Sequence, residues 1–323
     1  MIDEAIYLLV IGVALLIVEL LYFKLAKHFG IVDRPSARGS STRVTLRGGG
    51  IIFYLGVVAY LLTGRSMYYI WFFLGLTAIA IVSFIDDLHS LKPKLRLLVH
   101  FLAMVFLFVQ LGLFTVSSWL WLPVAFIVCA GVVNIFNFMD GINGITGGYA
   151  LVGLGFLLYV DYAVHPFADA VFIKIMIVAV LIFCFFNFRT KAKCFAGDVG
   201  SVSIAFVLLF LVGKLVITTH DFSWFIVMIV YGVDGCLTIV HRIIMHEDLT
   251  KPHRNHAYQI MANELGMPHV SVSLIYMALQ SVACAVYIVF PGYITLVAFT
   301  ILYSIAYVLF MKKYFYLHRK NMR

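Results

Sequence analysis

Charge is scarce in this chain. Asp, Glu, Lys and Arg make up 12% of its 323 residues, about half the share found in soluble domains. So few charges cannot cover a water-soluble fold of this size. With 63% hydrophobic residues and a mean hydropathy of +1.04, the chain reads as an all-α polytopic membrane protein. Cysteine is sparse too. Cys129, Cys184, Cys194, Cys236 and Cys284 are scattered, four of them in apolar runs, with no CxxC spacing. That excludes a disulfide framework and a cysteine zinc site; they read as small apolar residues. There is no low-complexity tract and no convincing internal repeat. Residues 1–323 read as one integral membrane domain.

Eleven apolar runs near the length of a bilayer span are present: 5–26, 50–63, 67–85, 97–114, 119–136, 145–160, 170–188, 199–217, 222–240, 270–289 and 294–311. The second and sixth are the shortest. The first is too long for the apolar part of a signal peptide, about 7–15 residues, and is expected to be retained. Alternating from the first loop, one side collects twenty of the 23 Lys and Arg residues and leaves only Arg65, Lys174 and Lys214. The positive-inside rule makes that side cytoplasmic. The N-terminus is then outside and the C-terminus cytoplasmic. The net charge of +8 sits beside anionic headgroups, which points to the membrane and not to nucleic acid as its partner. The longer loops, with nearly all the unusual residues, lie on the same side.

Asp86 and Asp87, in IVSFIDDLHSLKPK (81–94), end one apolar run. Adjacent carboxylates at the mouth of a membrane helix repel each other and are costly to desolvate. Cations or a bound metal offset that cost, and carboxylates are hard donors that Mg²⁺ uses together with substrate phosphates. Lys94 and Arg96 follow in the same loop. The first loop, IVDRPSARGSSTRVTLRGGG (31–50), has four arginines, Arg47 among them, and three glycines before a helix start. That pattern lets backbone N–H groups approach a phosphate, although basic loops are ordinary on a cytoplasmic face. In NIFNFMDGINGITGG (134–148), Asn134, Asn137 and Asp140 are spaced by three and share a helix face; the plain reading is a polar helix contact followed by a turn. FNFRTKAKCFAGDVGS (186–201) holds Asn187 and Asp198, the latter either a helix N-cap or a metal-ligating acid. The last long loop, HRIIMHEDLTKPHRNHAYQ (241–259), offers four histidines with Arg242 and Arg254. Its arginines suit an anion better than zinc; as a solvated basic loop it would need neither.

At these residues the chain resembles the polyprenyl-phosphate N-acetylhexosaminyl-1-phosphate transferases, membrane enzymes that start O-antigen, teichoic acid and related glycan assembly. The similarity runs from DRPSAR (33–38) through FIDD (84–87), NFMDG (137–141) and GDVGS (197–201) to HRNHAYQ (253–259). It implies an eleven-span fold in the bacterial cytoplasmic membrane with its active site on the cytoplasmic face. A lipid phosphate attacks the β-phosphate of a UDP-amino sugar, and UMP leaves. The implied cofactor is Mg²⁺, with Mn²⁺ as its substitute. The implied substrates are undecaprenyl phosphate and a UDP-N-acetylhexosamine, and a homodimer is compatible with the family. By position, Asp86, Asp87 and Asp140 are catalytic, and Asp198 with Asp87 holds the metal. Asn137, Asn187, Lys94, Arg96, Arg47, His253, Arg254 and His256 bind substrate. Which of Asp86 and Asp87 faces the metal stays open, as does direct displacement against a covalent phospho-enzyme.

Two departures stand out. Asn143 occupies a place where many members have a second Asp. HRNHAYQ also differs from the triple-histidine form of the peptidoglycan enzyme and from the HxHR form of the enterobacterial N-acetylglucosamine enzyme. It looks closer to the O-antigen branch that transfers other N-acetylated sugars, so a peptidoglycan role is not expected. Two rivals fit less well. An aromatic prenyltransferase would pair acids within each of two motifs, whereas Asp87 is followed by Leu-His-Ser-Leu. A lipid or anion transporter would place polar groups mid-span and show repeats.

Overall fold

The computed structural model describes residues 2–34, 43–114, 121–249, 251 and 253–321. Pro35–Arg38 of the DRPSAR stretch and the connection at 115–118 lie outside the described residues. The helices are α1 (Ile2–His28), α2 (Ile51–Tyr60), α3 (Ile70–Leu88), α4 (Pro93–Gln110), α5 (Leu122–Met139), α6 (Ile145–Ala163), α7 (Ala170–Asn187), α8 (Gly197–Thr219), α9 (Ile229–Ile244), the short α10 (Ala257–Gln259), α11 (His269–Val289) and α12 (Tyr293–Asn321). Among the described residues, ten helices are long and apolar enough to cross a membrane, and Ile51–Gly64 is a shorter apolar helix. Each of the eleven apolar runs therefore has its helix. The sixth is longer than its run, because α6 continues through Asp161 to Ala163. That acid turns back to accept from the backbone N–H groups of Phe167 and Ala168 at 2.8 and 2.9 Å. The second is broken: after Tyr60 the chain turns through Gly64, whose φ is 76°.

α8 is the axis of the molecule. It is apolar all round, the pattern of a helix with no solvent side, and 83% of its spanning window is buried. α2, α3, α5 and α6 surround it. Phe206 and Phe210 of α8 stack on Phe72 of α3, with ring centroids 5.7 and 4.1 Å apart. The peripheral helices turn large side chains outward instead, such as Leu9 on α1, Leu98 on α4, Ile127 on α5 and Leu309 on α12. Outward apolar faces on a protein of this size belong against lipid. At 23 residues, α8 is about 34 Å long, slightly more than a hydrocarbon core of about 30 Å. Its first turn, with Asp198, therefore lies at the membrane boundary.

The described β-structure is small and sits at that end. Strand β1 (Val32–Asp33) pairs antiparallel with β2 (Thr45–Leu46), and Leu46 also bridges in parallel to Cys194. This patch ties the first loop to the loop before α8.

Candidate active site

The glycine run Gly48–Gly50 was expected to offer its N–H groups to a phosphate. Two of them have other partners: Gly49 donates to Phe195 O at 2.9 Å and Gly50 to Ala196 O at 3.1 Å. The run matters instead for close approach. A Cβ on Gly200 of α8 would fall 2.6 Å from the Gly50 Cα, so α2 and α8 meet backbone to backbone. This seam places Arg47, whose carbonyl accepts from the Tyr22 hydroxyl of α1 at 2.6 Å.

The aspartate pair at the end of α3 is divided. Asp87 is buried and faces α8. Its Oδ1 accepts from the Asp198 N–H at 2.9 Å, its Oδ2 from the Val199 N–H at 3.0 Å, and Oδ1 also takes Arg47 Nε at 2.7 Å. A carboxylate at a helix N-terminus satisfies orphan donors and meets the positive end of the helix dipole. Gly197 is required here. Its φ is +72°, and a Cβ would lie 2.5 Å from Asp87 Oδ2. Asp86 points the other way. It accepts from the Leu91 N–H at 2.7 Å, closing the turn into α4, and pairs with Arg96 at 2.7 Å. Asp198 stands between the two arginines, with Arg47 3.5 Å from its Oδ1 and Arg96 3.5 Å from its Oδ2. It lies in the first turn of α8 and does not cap it; Asp87 does.

Beside Asp198 is a cavity of about 190 Å³, lined among others by Asp33, Arg47, Asn137, Asp140 and His269. Asp140 ends α5. Burial pushes its carboxyl up to about 7, and the charges of Asp198 and Asp87 act in the same direction. Burial also raises the Asp33 carboxyl, against the pull of Arg47. Asn137 donates to the Ser201 hydroxyl of α8 at 3.2 Å. Asn134, on the same sequence face, is exposed and donates to the Ala130 carbonyl of its own helix, so it does not join the site. Asn187 lines the cavity but is committed structurally. It accepts from the Gly144 N–H at 2.7 Å and donates to Cys194 O at 2.8 Å. Asn143 holds the carbonyls of Arg189 and Thr190 with its amide. A carboxylate could not donate there.

The histidine loop packs against the end of α5 and does not line the cavity. The Tyr258 hydroxyl donates to Phe138 O at 2.7 Å, and the His253 ring lies 5.8 Å from the Phe138 ring. His256 is buried, with Nδ1 3.0 Å from Asp234 Oδ1. Arg254 lies 3.8 Å from Glu264. Burial, with His256 and Arg242 acting in the same direction, pushes His253 down to about 3, so it is neutral near pH 7. Lys94 is exposed. Sequence reasoning missed Asp33, His269 and Asp234. Asp33 was inside a quoted motif. Asp234 carried the clearest signal, an acid in an apolar span.

Among the described residues no group of three His, Cys, Asp or Glu side chains is placed to hold a metal unaided. The donor chemistry still fits Mg²⁺, which takes one or two carboxylates and completes its shell with phosphates and water. Asp198, Asp140 and Asp33 face the cavity, and with Asp86 and Asp87 behind them the carboxylates outnumber the two arginines.

Residues 69–216 match the model of glycosyl transferase family 4. A probable undecaprenyl-phosphate N-acetylglucosaminyl 1-phosphate transferase of Bacillus subtilis is 28% identical over 308 residues, covering 86% of this chain and 84% of the relative. The family match spans 148 of the 323 residues, a little under half of the chain. A phospho-N-acetylmuramoyl-pentapeptide-transferase of Dictyoglomus thermophilum is 31% identical over 175 residues, 48% of this chain and 55% of that protein. An undecaprenyl-phosphate alpha-N-acetylglucosaminyl 1-phosphate transferase of Yersinia pestis is 26% identical over 225 residues, 64% of this chain and 61% of that protein. The family match contains Asp86, Asp87, Asn137, Asp140, Asn187 and Asp198. It leaves Arg47 and the histidine loop outside.

Proposed function

We propose that this protein transfers an N-acetylhexosamine 1-phosphate from a UDP-sugar to undecaprenyl phosphate, at the cytoplasmic face of the membrane, releasing UMP. The observation that carries this is the meeting of Asp140, Asp198 and Arg47 around one cavity at the membrane boundary, where a lipid phosphate and a soluble diphosphate can both arrive. The names of the relatives support the reaction class. The basic loops on that side support the orientation.

In the reaction, an oxygen of the lipid phosphate bonds to the β-phosphorus of the UDP-sugar. The bond from that phosphorus to the bridging oxygen breaks, and its electron pair leaves with UMP. Phosphoryl transfer of this kind depends on positioning and charge stabilisation. Arg47 and Arg96 flank Asp198 and offset the negative charge of the phosphates. Asp140, held near 7, is matched to exchange a proton with a phosphomonoester whose second pKa is about 6. Asp87 positions both Asp198 and Arg47. Asp198, with Asp140 beside it, would hold Mg²⁺, which would supply charge neutralisation on the diphosphate.

Purified protein incubated with undecaprenyl phosphate, Mg²⁺ and a panel of UDP-N-acetylhexosamines is expected to release UMP with at least one sugar and to stop when the metal is chelated. Folded protein that releases no UMP from any sugar would end the proposal. The panel should extend beyond N-acetylglucosamine, because HRNHAYQ differs from the forms described above.

A further inference from the structure

A second cavity, of about 450 Å³, lies between the C-terminal halves of α9 and α12. It shares no lining residue with the candidate active site. Its walls are Leu237, Val240 and Ile244 on one side and Val308, Met311 and Phe315 on the other. Val240, Ile244 and Val308 are exposed, so the groove opens sideways to the surroundings of the bundle. Along α12 it runs about 7 Å from Tyr307 to Lys312 and about 6 Å further to Tyr316, so it straddles the end of the apolar run at residue 311.

The two ends differ. The inner end is closed by Tyr307, whose hydroxyl is 2.8 Å from the Thr238 hydroxyl. The loop-side half carries Lys312 and His241, the latter 4.5 Å from the Phe315 ring, with Ile244 and Tyr316 beyond them. No described carboxylate lines the groove, and Lys313 lies next along α12. An apolar groove in a membrane gains little selectivity from its walls, since the surrounding lipid is equally apolar. Selectivity comes from the basic half.

We propose that the α9–α12 groove is a binding site for an anionic phospholipid, one acyl chain lying along α12 and the headgroup phosphate at Lys312 and His241. A groove that crosses the end of the apolar run fits a lipid whose headgroup lies at the boundary and whose chain enters the core, and the basic side chains there select an anionic one.

Native mass spectrometry of the full-length protein in detergent, with phosphatidylglycerol or phosphatidylcholine of matched chains, tests this without reading transferase activity. Wild type is expected to hold phosphatidylglycerol about fivefold more than phosphatidylcholine, as one juxtamembrane basic contact gives. Lys312→Glu should abolish that preference. Val308→Trp should fill the groove and reduce both adducts, while Leu302→Trp, outside the groove, should leave the wild-type pattern. Melting in the same detergent checks that each variant is folded, and Lys312→Glu changes only an exposed side chain. Equal adducts of the two lipids on wild type would overturn the proposal, as would an unchanged preference in Lys312→Glu. Displacement of phosphatidylglycerol by equimolar undecaprenyl phosphate would assign the groove to that lipid instead. A dimer lost only in Val308→Trp would assign it to a second copy of the chain. Either result also overturns the proposal.

Discussion

Asp87 and Asp198 are both acids at the same boundary, yet substitution should separate them. Asp87 satisfies two α8 N–H groups and Arg47 at once. Asp87→Ala leaves those donors and a half-buried guanidinium without their partner, and stability is expected to fall by about 3 kcal/mol, read as a lowered melting temperature in detergent. Asp198 is partly exposed, with both arginines at 3.5 Å. Asp198→Asn should change stability by less than about 1 kcal/mol yet remove most UMP release. Equal melting temperatures for the two variants would contradict this division. Asp140 adds a pH dependence. Its folded pKa is raised to about 7, so its contribution to stability is complete below the unfolded carboxylate range and is lost as pH rises through 7. Metal-free wild type should therefore lose more melting temperature between pH 6 and pH 8 than Asp140→Asn does. Residue identities in the site were legible because their types are rare in apolar surroundings. Their partners were not. Asp198 looked like an N-cap from its position, but the cap comes from a residue 111 positions earlier in the chain.

At the scale of elements, α2 and α8 cross where neither has a side chain. Gly50→Ala is expected to prevent the close approach, because the opposing atoms are backbone of α8 and cannot rotate away. Low yield of folded protein, or loss of the melting transition, should report it. Gly155→Ala on α6, where a Cβ meets nothing within 4 Å, should instead be neutral or stabilising by up to about 1 kcal/mol. The eleven runs were readable because a bilayer demands long apolar stretches. The role of the glycines was not. A phosphate cradle and a close helix crossing require the same small residue, and only the packing tells them apart. The histidine loop shows the same limit. Its arginines and histidines suggested an anion site, but Glu264 and Asp234, distant or hidden in an apolar span, lie against Arg254 and His256.

For the whole molecule, the basic loops give a labelling prediction. With a membrane-impermeant thiol reagent on intact cells, Val164→Cys in the α6–α7 connection should react. His89→Cys after α3 should react only after permeabilisation; the reverse pattern would invert the proposed orientation. The same view gives the Asp87 cap a meaning in time. During synthesis Asp87 leaves the ribosome about 110 residues, and its partner Arg47 about 150 residues, before the α8 N–H groups that complete the bonds of Asp87. Until then α3 ends in an acid with part of its partners missing, so the site cannot close before the bundle has its axis. A chain released before residue 199 should carry that acid unsatisfied at the membrane boundary, a local defect by which cellular proteolysis could distinguish an unfinished copy from a finished one.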